Sequence, residues 1–326
     1  MSQSKASVYV TRRIPEAGLQ LLRDAIGDFD MNPEDRVLKP EELLHAVRGR
    51  DAVLCLLTDK IDDSVFESAG TNCKVFANYA VGYNNIDLDA AKRRGIQITN
   101  TPGVLTHATA DLAWTLLFAT ARRLVEASDH IRSGQWNGWG PMQFVGQDIT
   151  GATLGVVGAG RIGREFALKS SGFGMKVLYT SPRANPDLEQ KLGATKVELD
   201  ELLKQSDFVA LHVPLKPETT HLIGARELGL MKPTAVLINT ARGPVVDEAA
   251  LFEALKSRKI FGAGLDVFEN EPAVYPGLLE LPNVVALPHI ASATHATRDK
   301  MATMAVENLL AALDGHTPPN ALVKFD

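Results

Sequence analysis

Cysteine is nearly absent: Cys55 and Cys73 are the only two in 326 residues. Two thiols cannot build a disulfide framework, and their scarcity fits a reducing, cytoplasmic setting. Cys55 lies in an apolar run and reads as an inert core thiol, and Cys73 has no local base to activate it. No uninterrupted apolar run is longer than 52–57, far too short to cross a bilayer. Residues 1–13 hold no apolar segment of signal-peptide kind. A basic excess is missing too: 34 Lys and Arg stand against 39 Asp and Glu, a net of −5. That balance argues against nucleic acid and anionic membrane as partners. There is no low-complexity tract and no fixed-period repeat. The remaining histidines, His45, His107, His130, His221, His295 and His316, show no metal-ligand spacing, so no metal is expected.

What is present is ordinary for a globular chain: 45% hydrophobic and 22% charged residues. The length exceeds what one core usually serves, so two domains are expected. Short β-branched runs alternate with helical stretches, the pattern of a parallel sheet wound with helices. In the first part, 8–11, 52–57, 74–78 and 96–100 read as strands, and 15–26 and 40–48 as helices. Asp87 is placed to cap a helix running to Arg94, with Gly95 ending it. Residues 104–125 read as one long helix with too many bulky side chains for a single narrow face. It is therefore expected to be buried between domains or against a second subunit. A Gly- and Trp-rich loop over 133–146 follows. A second α/β series then has strands at 152–157, 176–180, 207–213, 235–239, 262–267 and 284–287, with helices between them, and a final helix at 294–313.

Gly158-Ala159-Gly160-Arg161-Ile162-Gly163 stands between the strand at 152–157 and a helix expected over 162–170. The first glycine permits the tight turn, the second a close approach to pyrophosphate, and the third helix-to-strand packing. The helix start then holds the anion through free N–H groups. This strand–turn–helix setting makes Gly158, Gly160, Arg161, Ile162 and Gly163 a dinucleotide cradle. After the next strand, the acid that would grip a ribose 2′-hydroxyl is absent. Tyr179-Thr180-Ser181-Pro182-Arg183 offers a hydroxyl and an arginine, which suit a 2′-phosphate. NADP(H) is therefore expected in preference to NAD(H), with NAD(H) remaining possible.

Three polar residues follow three strands on the same rim: Arg242, Glu271 and His289. Ligands of such sheets sit beyond the carboxyl ends of strands. Reduction of a 2-oxo acid needs a hydride at carbon and a proton at oxygen. His289 suits the proton donor, its imidazole titrating ordinarily near ~6.5. Glu271 would stabilise the imidazolium, each pKa unit being worth ~1.4 kcal/mol. Arg242 would hold the substrate carboxylate and polarise its carbonyl. Each residue alone reads as a loop charge or a turn; the three together, beside a dinucleotide turn, read as a catalytic group. Asp266 lies in an apolar run and needs a partner: a cofactor amide, Arg242, or a purely structural hydrogen bond. Ser292 is placed to touch substrate or cofactor, or to cap a helix.

Together with the glycine turn, His212-Val213-Pro214-Leu215, Met231-Lys232-Pro233, Asn239-Thr240-Ala241-Arg242-Gly243, Gly264-Leu265-Asp266-Val267-Phe268 and Pro288-His289-Ile290-Ala291-Ser292-Ala293-Thr294 resemble the D-isomer-specific 2-hydroxyacid dehydrogenase family over nearly the whole chain. The resemblance implies an α/β protein with a Rossmann dinucleotide-binding domain (101–288) inserted into a flavodoxin-like substrate domain (1–100 and 289–326), acting as a homodimer. It implies catalysis by Arg242, Glu271 and His289. The N–H groups of Val81 and Gly82 would bind the substrate carboxylate. His212, Val213 and Pro214 would line the cofactor, with Thr240 and Asp266 near the nicotinamide. Within the family the chain is most similar to glyoxylate/hydroxypyruvate reductases, since the acid after the second strand is missing and Asn78-Tyr79-Ala80-Val81-Gly82-Tyr83-Asn84-Asn85-Ile86-Asp87 is present. The rival readings are an NAD-dependent dehydrogenase of a bulkier 2-oxo acid (D-lactate or phosphoglycerate type) and a dinucleotide-gated corepressor-like interaction protein.

Overall fold

The computed structural model describes residues 6–325. The first five residues of the stretch without a signal-peptide core, and Asp326, lie outside them. Along the chain run β1 Val8–Val10, α1 Glu16–Ile26, β2 Asp30–Met31, α2 Pro40–Val47, β3 Ala52–Cys55, α3 Asp63–Ala69, β4 Val75–Asn78, α4 Leu88–Arg93 and β5 Gln97–Thr99. Then come α5 Thr106–Ala121, α6 Leu124–Arg132, β6 Thr153–Val157, α7 Arg161–Leu168, β7 Lys176–Thr180, α8 Pro186–Leu192, β8 Thr195–Lys196, α9 Leu199–Gln205 and β9 Phe208–Leu211. The series closes with α10 Ala225–Leu230, β10 Val236–Asn239, α11 Glu248–Lys256, β11 Gly262–Leu265, β12 Val284–Ala286 and α12 His295–Leu313.

Two compact units emerge. One comprises the chain up to Leu105 and again from Ala293; the other, Thr106–Ser292, is inserted between those segments. His289 and Ser292 therefore belong to the inserted unit, whose expected border lay at 288.

The first unit is built on a parallel five-stranded sheet in the order β2-β1-β3-β4-β5, the flavodoxin-like order. Its inner strands β1, β3 and β4 are short, mostly apolar runs buried throughout, as βαβ crossovers demand. Phe66 of α3 meets Phe76 of β4 edge to face at 5.1 Å. Thr294 caps α12 by accepting from Thr297 N at 3.2 Å, and α12 buries Met301, Ala305 and Leu309. Asp87 caps α4 through Ala90 N at 2.9 Å, and Gly95 follows with φ +70°, as the sequence suggests.

The inserted unit carries a parallel seven-stranded sheet, β12-β11-β10-β9-β6-β7-β8, which contains the Rossmann strand order. Alternate residues feed two cores. Phe208, Val236 and Ile238 face one with Trp114, Leu117 and Phe166; Val209, Leu237 and Leu265 face the other with Leu202 and Leu251.

The single long helix expected over 104–125 is two helices. Arg123 has φ +52°, and Gln147 N–H takes the Ala121 carbonyl at 2.9 Å, so α5 stops and α6 starts anew. The bulky face of α5 finds its partners inside its own unit. Trp114 stacks on Phe166 (5.0 Å) and donates from Nε1 to the Phe166 carbonyl at 2.9 Å. Among the described residues no helix is long and apolar enough to cross a membrane, and no cluster suits a metal ion.

Candidate active site

β6 delivers the chain into Gly158, whose φ of +98° favours glycine. A Cβ there would also lie 2.8 Å from the His212 backbone. A Cβ on Gly163 would collide with the Gly158 carbonyl, so α7 packs directly on the turn. A Cβ on Gly160, the residue before α7, would meet nothing within 4 Å beyond its chain neighbours; that side of the turn is open where a pyrophosphate would lie. Arg161 and Ile162 follow at the helix start, the arginine exposed and Ile162 half-buried. The loop after β7 is tied to this turn: Asn185 Nδ2 donates to the Ala159 carbonyl (2.9 Å), and Asn185 N to the Tyr179 hydroxyl (2.8 Å). The glycine geometry fits a dinucleotide.

At the end of β7, Ser181 is half-buried and Arg183 exposed; among the described residues Arg183 makes no ion pair. The nearest acid beyond them, Asp187, is occupied by Arg164 and by Lys191 Nζ (2.9 Å). After β9, His212 backs the glycine turn, its Cβ 3.2 Å from where a Gly163 side chain would start. Its Nε2 is shut off from solvent without a partner, and burial pulls its pKa down to about 3, so the ring is neutral. Val213 is half-buried and Pro214 exposed on the same rim.

β10 ends in Asn239, whose side chain shapes the next turn: Nδ2 donates to the Arg242 carbonyl and Oδ1 accepts from Ala241 N, both at 3.0 Å. Thr240 inside this turn is buried, its hydroxyl unpartnered. Arg242 donates to the Ala241 carbonyl at 2.8 Å. Burial lowers the pKa of its guanidinium, and the charge of Glu271 pushes it back up.

The loop after β11 carries Glu271. Its Oε1 accepts from Phe268 N at 3.0 Å and its Oε2 meets His289 Nδ1 at 2.9 Å. Desolvation raises the Glu271 pKa, but the His289 hydrogen bond and charge, the Phe268 N–H and Arg242 outweigh it, and the net direction is down. The carboxylate is thus ionised at neutral pH. The His289 side chain is 25% exposed, so it is reachable, and its Nε2 has no partner among the described residues. With Nδ1 engaged by a carboxylate, Nε2 is the nitrogen left for proton transfer. Arg242, Glu271 and His289 are thus brought together.

Asp266 follows β11 directly. It is fully buried, with Oδ1 accepting from Ile290 N and Oδ2 from Ala291 N, both at 2.8 Å. Its carbonyl accepts from His289 N at 2.9 Å. Structural hydrogen bonds, one of the partners the sequence left open, are thus present, and each oxygen keeps a second lone pair. Desolvation raises its pKa, opposed by those N–H groups and by His289. The device holds a strained turn, since His289 has φ +54°. Ser292 is half-buried just beyond it.

In the first unit, Val81 and Gly82 follow β4. Asn100 Nδ2 donates to the Val81 carbonyl (2.8 Å) and Asn78 Nδ2 to the Gly82 carbonyl (2.9 Å). Both carbonyls are thereby held by buried amides, and neither backbone N–H has an acceptor among the described residues. Such paired N–H groups suit a carboxylate. Sequence reading missed Asn78, Asn100 and Asn185 as the supports of these turns; an Asn at a strand end was the available signal. Both thiols are buried, and burial pushes Cys73 up to about 12 and Cys55 well above its usual value, so neither is a nucleophile.

Residues 114–291 match the family model described as D-isomer specific 2-hydroxyacid dehydrogenase, NAD binding domain. A glyoxylate reductase of Thermococcus gammatolerans is 51% identical over 324 residues, covering 98% of this chain and 96% of its own. Among solved structures, a glyoxylate reductase from Paecilomyes thermophila superposes with a TM-score of 0.87 at 34% identity, covering 98% of this chain and 99% of its own. An NADPH-dependent glyoxylate/hydroxypyruvate reductase from Sinorhizobium meliloti, in complex with NADP and malonate, reaches 0.85 at 33% identity, covering 98% and 97%.

Proposed function

This chain belongs to the D-isomer specific 2-hydroxyacid dehydrogenase family, and from that membership we propose that it reduces glyoxylate, and with it hydroxypyruvate, at the expense of NADPH. A nicotinamide dinucleotide on the glycine turn supplies the hydride. His289 gives the proton from Nε2 to the carbonyl oxygen as the carbonyl carbon is reduced. Glu271, bonded to Nδ1, holds the ring's orientation and steadies the imidazolium before transfer. Arg242 binds the substrate carboxylate and draws charge toward the carbonyl oxygen. Within the first unit the N–H groups of Val81 and Gly82 are donors that suit a carboxylate, and within the inserted unit Ser292 contacts the substrate. Thr240, His212, Val213 and Pro214 border the cofactor, with His212 acting as a neutral wall.

The observation that carries this reading is the 2.9 Å His289–Glu271 hydrogen bond beside Arg242, beyond the carboxyl ends of strands in the sheet whose β6 leads into the glycine turn. Preference for NADPH is supported by the absence of a carboxylate directly after β7 and by the exposed Arg183, which makes no ion pair among the described residues. The homodimer is supported by a set of exposed apolar side chains, Leu124, Val125 and Ile131 on α6 with Trp139 (85% exposed) and Met142 (80% exposed) in the loop that follows. A second copy of this chain covers it; light scattering that finds a monomer refutes this. Free buried thiols fit the cytoplasm.

The test follows NADPH and NADH absorbance with glyoxylate, hydroxypyruvate, pyruvate and phenylpyruvate. Fastest turnover with NADPH and either of the first two acids supports the proposal. NADH with a bulkier acid favours the rival dehydrogenase, and no turnover with any pair removes the enzymatic reading.

A further inference from the structure

Glu248 is the first residue of α11, whose cap is Asp247, accepting from Ala250 N at 3.0 Å. An acid in a first helical turn ordinarily stays in water near the positive end of the helix. Glu248 is instead 4% exposed, and both its oxygens reach another part of the chain. Its Oε1 accepts from Glu269 N at 2.7 Å and its Oε2 from Tyr275 N at 3.2 Å. Glu269 replies in kind: its Oε2 accepts from Glu248 N at 3.3 Å, and its Oε1 meets His221 Nε2 at 2.6 Å. The segment between the two gripped amides, 269–275, contains Glu271. Burying a carboxylate is costly unless its bonds are filled, and here they are filled by the two ends of one short loop.

We propose that Glu248 is a positioning residue, acting through the 269–275 loop to set the Glu271 carboxylate against His289. This rests on the reading of Glu271 and His289 as the catalytic pair. Glu248 is not itself offered as a group that touches substrate or cofactor; it sets where Glu271 stands. Glu269 N and Tyr275 N meet different oxygens of Glu248, and a Gln at 248 would turn one of those oxygens into an NH2 donor facing an N–H donor, so one of the two bonds is lost.

The experiment is a double-mutant cycle on the full-length protein, using E248Q, E271Q and the pair. NADPH fluorescence titration counts folded, nucleotide-binding sites, and glyoxylate turnover is expressed per site, so a loss of folded protein alone does not move the readout. E248Q is expected to lower kcat roughly 10- to 100-fold, as a displaced reacting group does, with KM for NADPH unchanged. In the E271Q background the same change is expected to cost little more, because the group it positions is already gone. Glu248→Asp keeps the charge but loses reach, and carries the same cycle if E248Q does not fold. An unchanged kcat, or the full loss repeated in the E271Q background, overturns the proposal. Wild-type protein that does not reduce glyoxylate, or E271Q as fast as wild type, instead brings down the catalytic reading and the inference with it.

Discussion

Gly243 and Phe268 pack backbone to backbone: a Cβ on Gly243 would overlap the Phe268 carbonyl. This approach sets the turn bearing Arg242 against the loop bearing Glu271. Gly243→Ala must push the two apart. The expected result is a fall in kcat/KM for glyoxylate of roughly 10²-fold with NADPH affinity retained. Steady-state kinetics beside a fluorescence titration check it; equal losses in both would mean general damage to the nucleotide domain.

Arg242→Ala should lower kcat/KM by ~10²–10³-fold, the usual cost of removing a donor aimed at a developing oxyanion. Circular dichroism should show an intact fold. Lysine is expected to restore little, because it lacks the planar fork that meets a carboxylate with two bonds. Turnover near that of wild type would defeat the assignment.

Arg183 tests the nucleotide preference. Arg183→Ala should raise KM for NADPH about ten-fold, the worth of a charge-assisted hydrogen bond, and leave KM for NADH nearly unmoved. A parallel rise for both nucleotides would mean that the guanidinium does not read the 2′-phosphate.

His212 makes a prediction about acid. Its folded pKa is about 3, whereas the unfolded chain's histidine titrates near ~6.5. Below ~6.5 the unfolded state takes up a proton that the folded state refuses until about 3, so stability is complete above that window and falls as pH drops through it. His212→Leu removes this contribution. Urea midpoints at ~pH 7 and ~pH 5 should differ more for wild type than for the variant. Equal differences would show that His212 carries its charge in the fold.

The strand ends were legible because apolar β-branched runs stop where polar loops begin, and Arg242, Glu271 and His289 each follow such a run. The glycine turn was legible because its three glycines stand between a strand and a helix. The break between α5 and α6 was not: Arg123 adopts a left-handed backbone without being glycine or asparagine, and Gln147 reaches Ala121 from far along the chain. The edge strands β2 and β8 are two residues each, too short for any periodicity to register. Asp266 announced a need for a partner but not which one, since the Ile290 and Ala291 amides lie 24 and 25 residues away. Glu248 resembled an ordinary helix-start acid, because its amide partners are also distant in sequence.

His289 holds a backbone shape that glycine would adopt freely, and the Asp266 carboxylate is committed to keeping it there. Durability and chemistry therefore pull this position in opposite directions. Glycine at 289 would relax the backbone and, in the same stroke, take away the imidazole that Glu271 Oε2 meets.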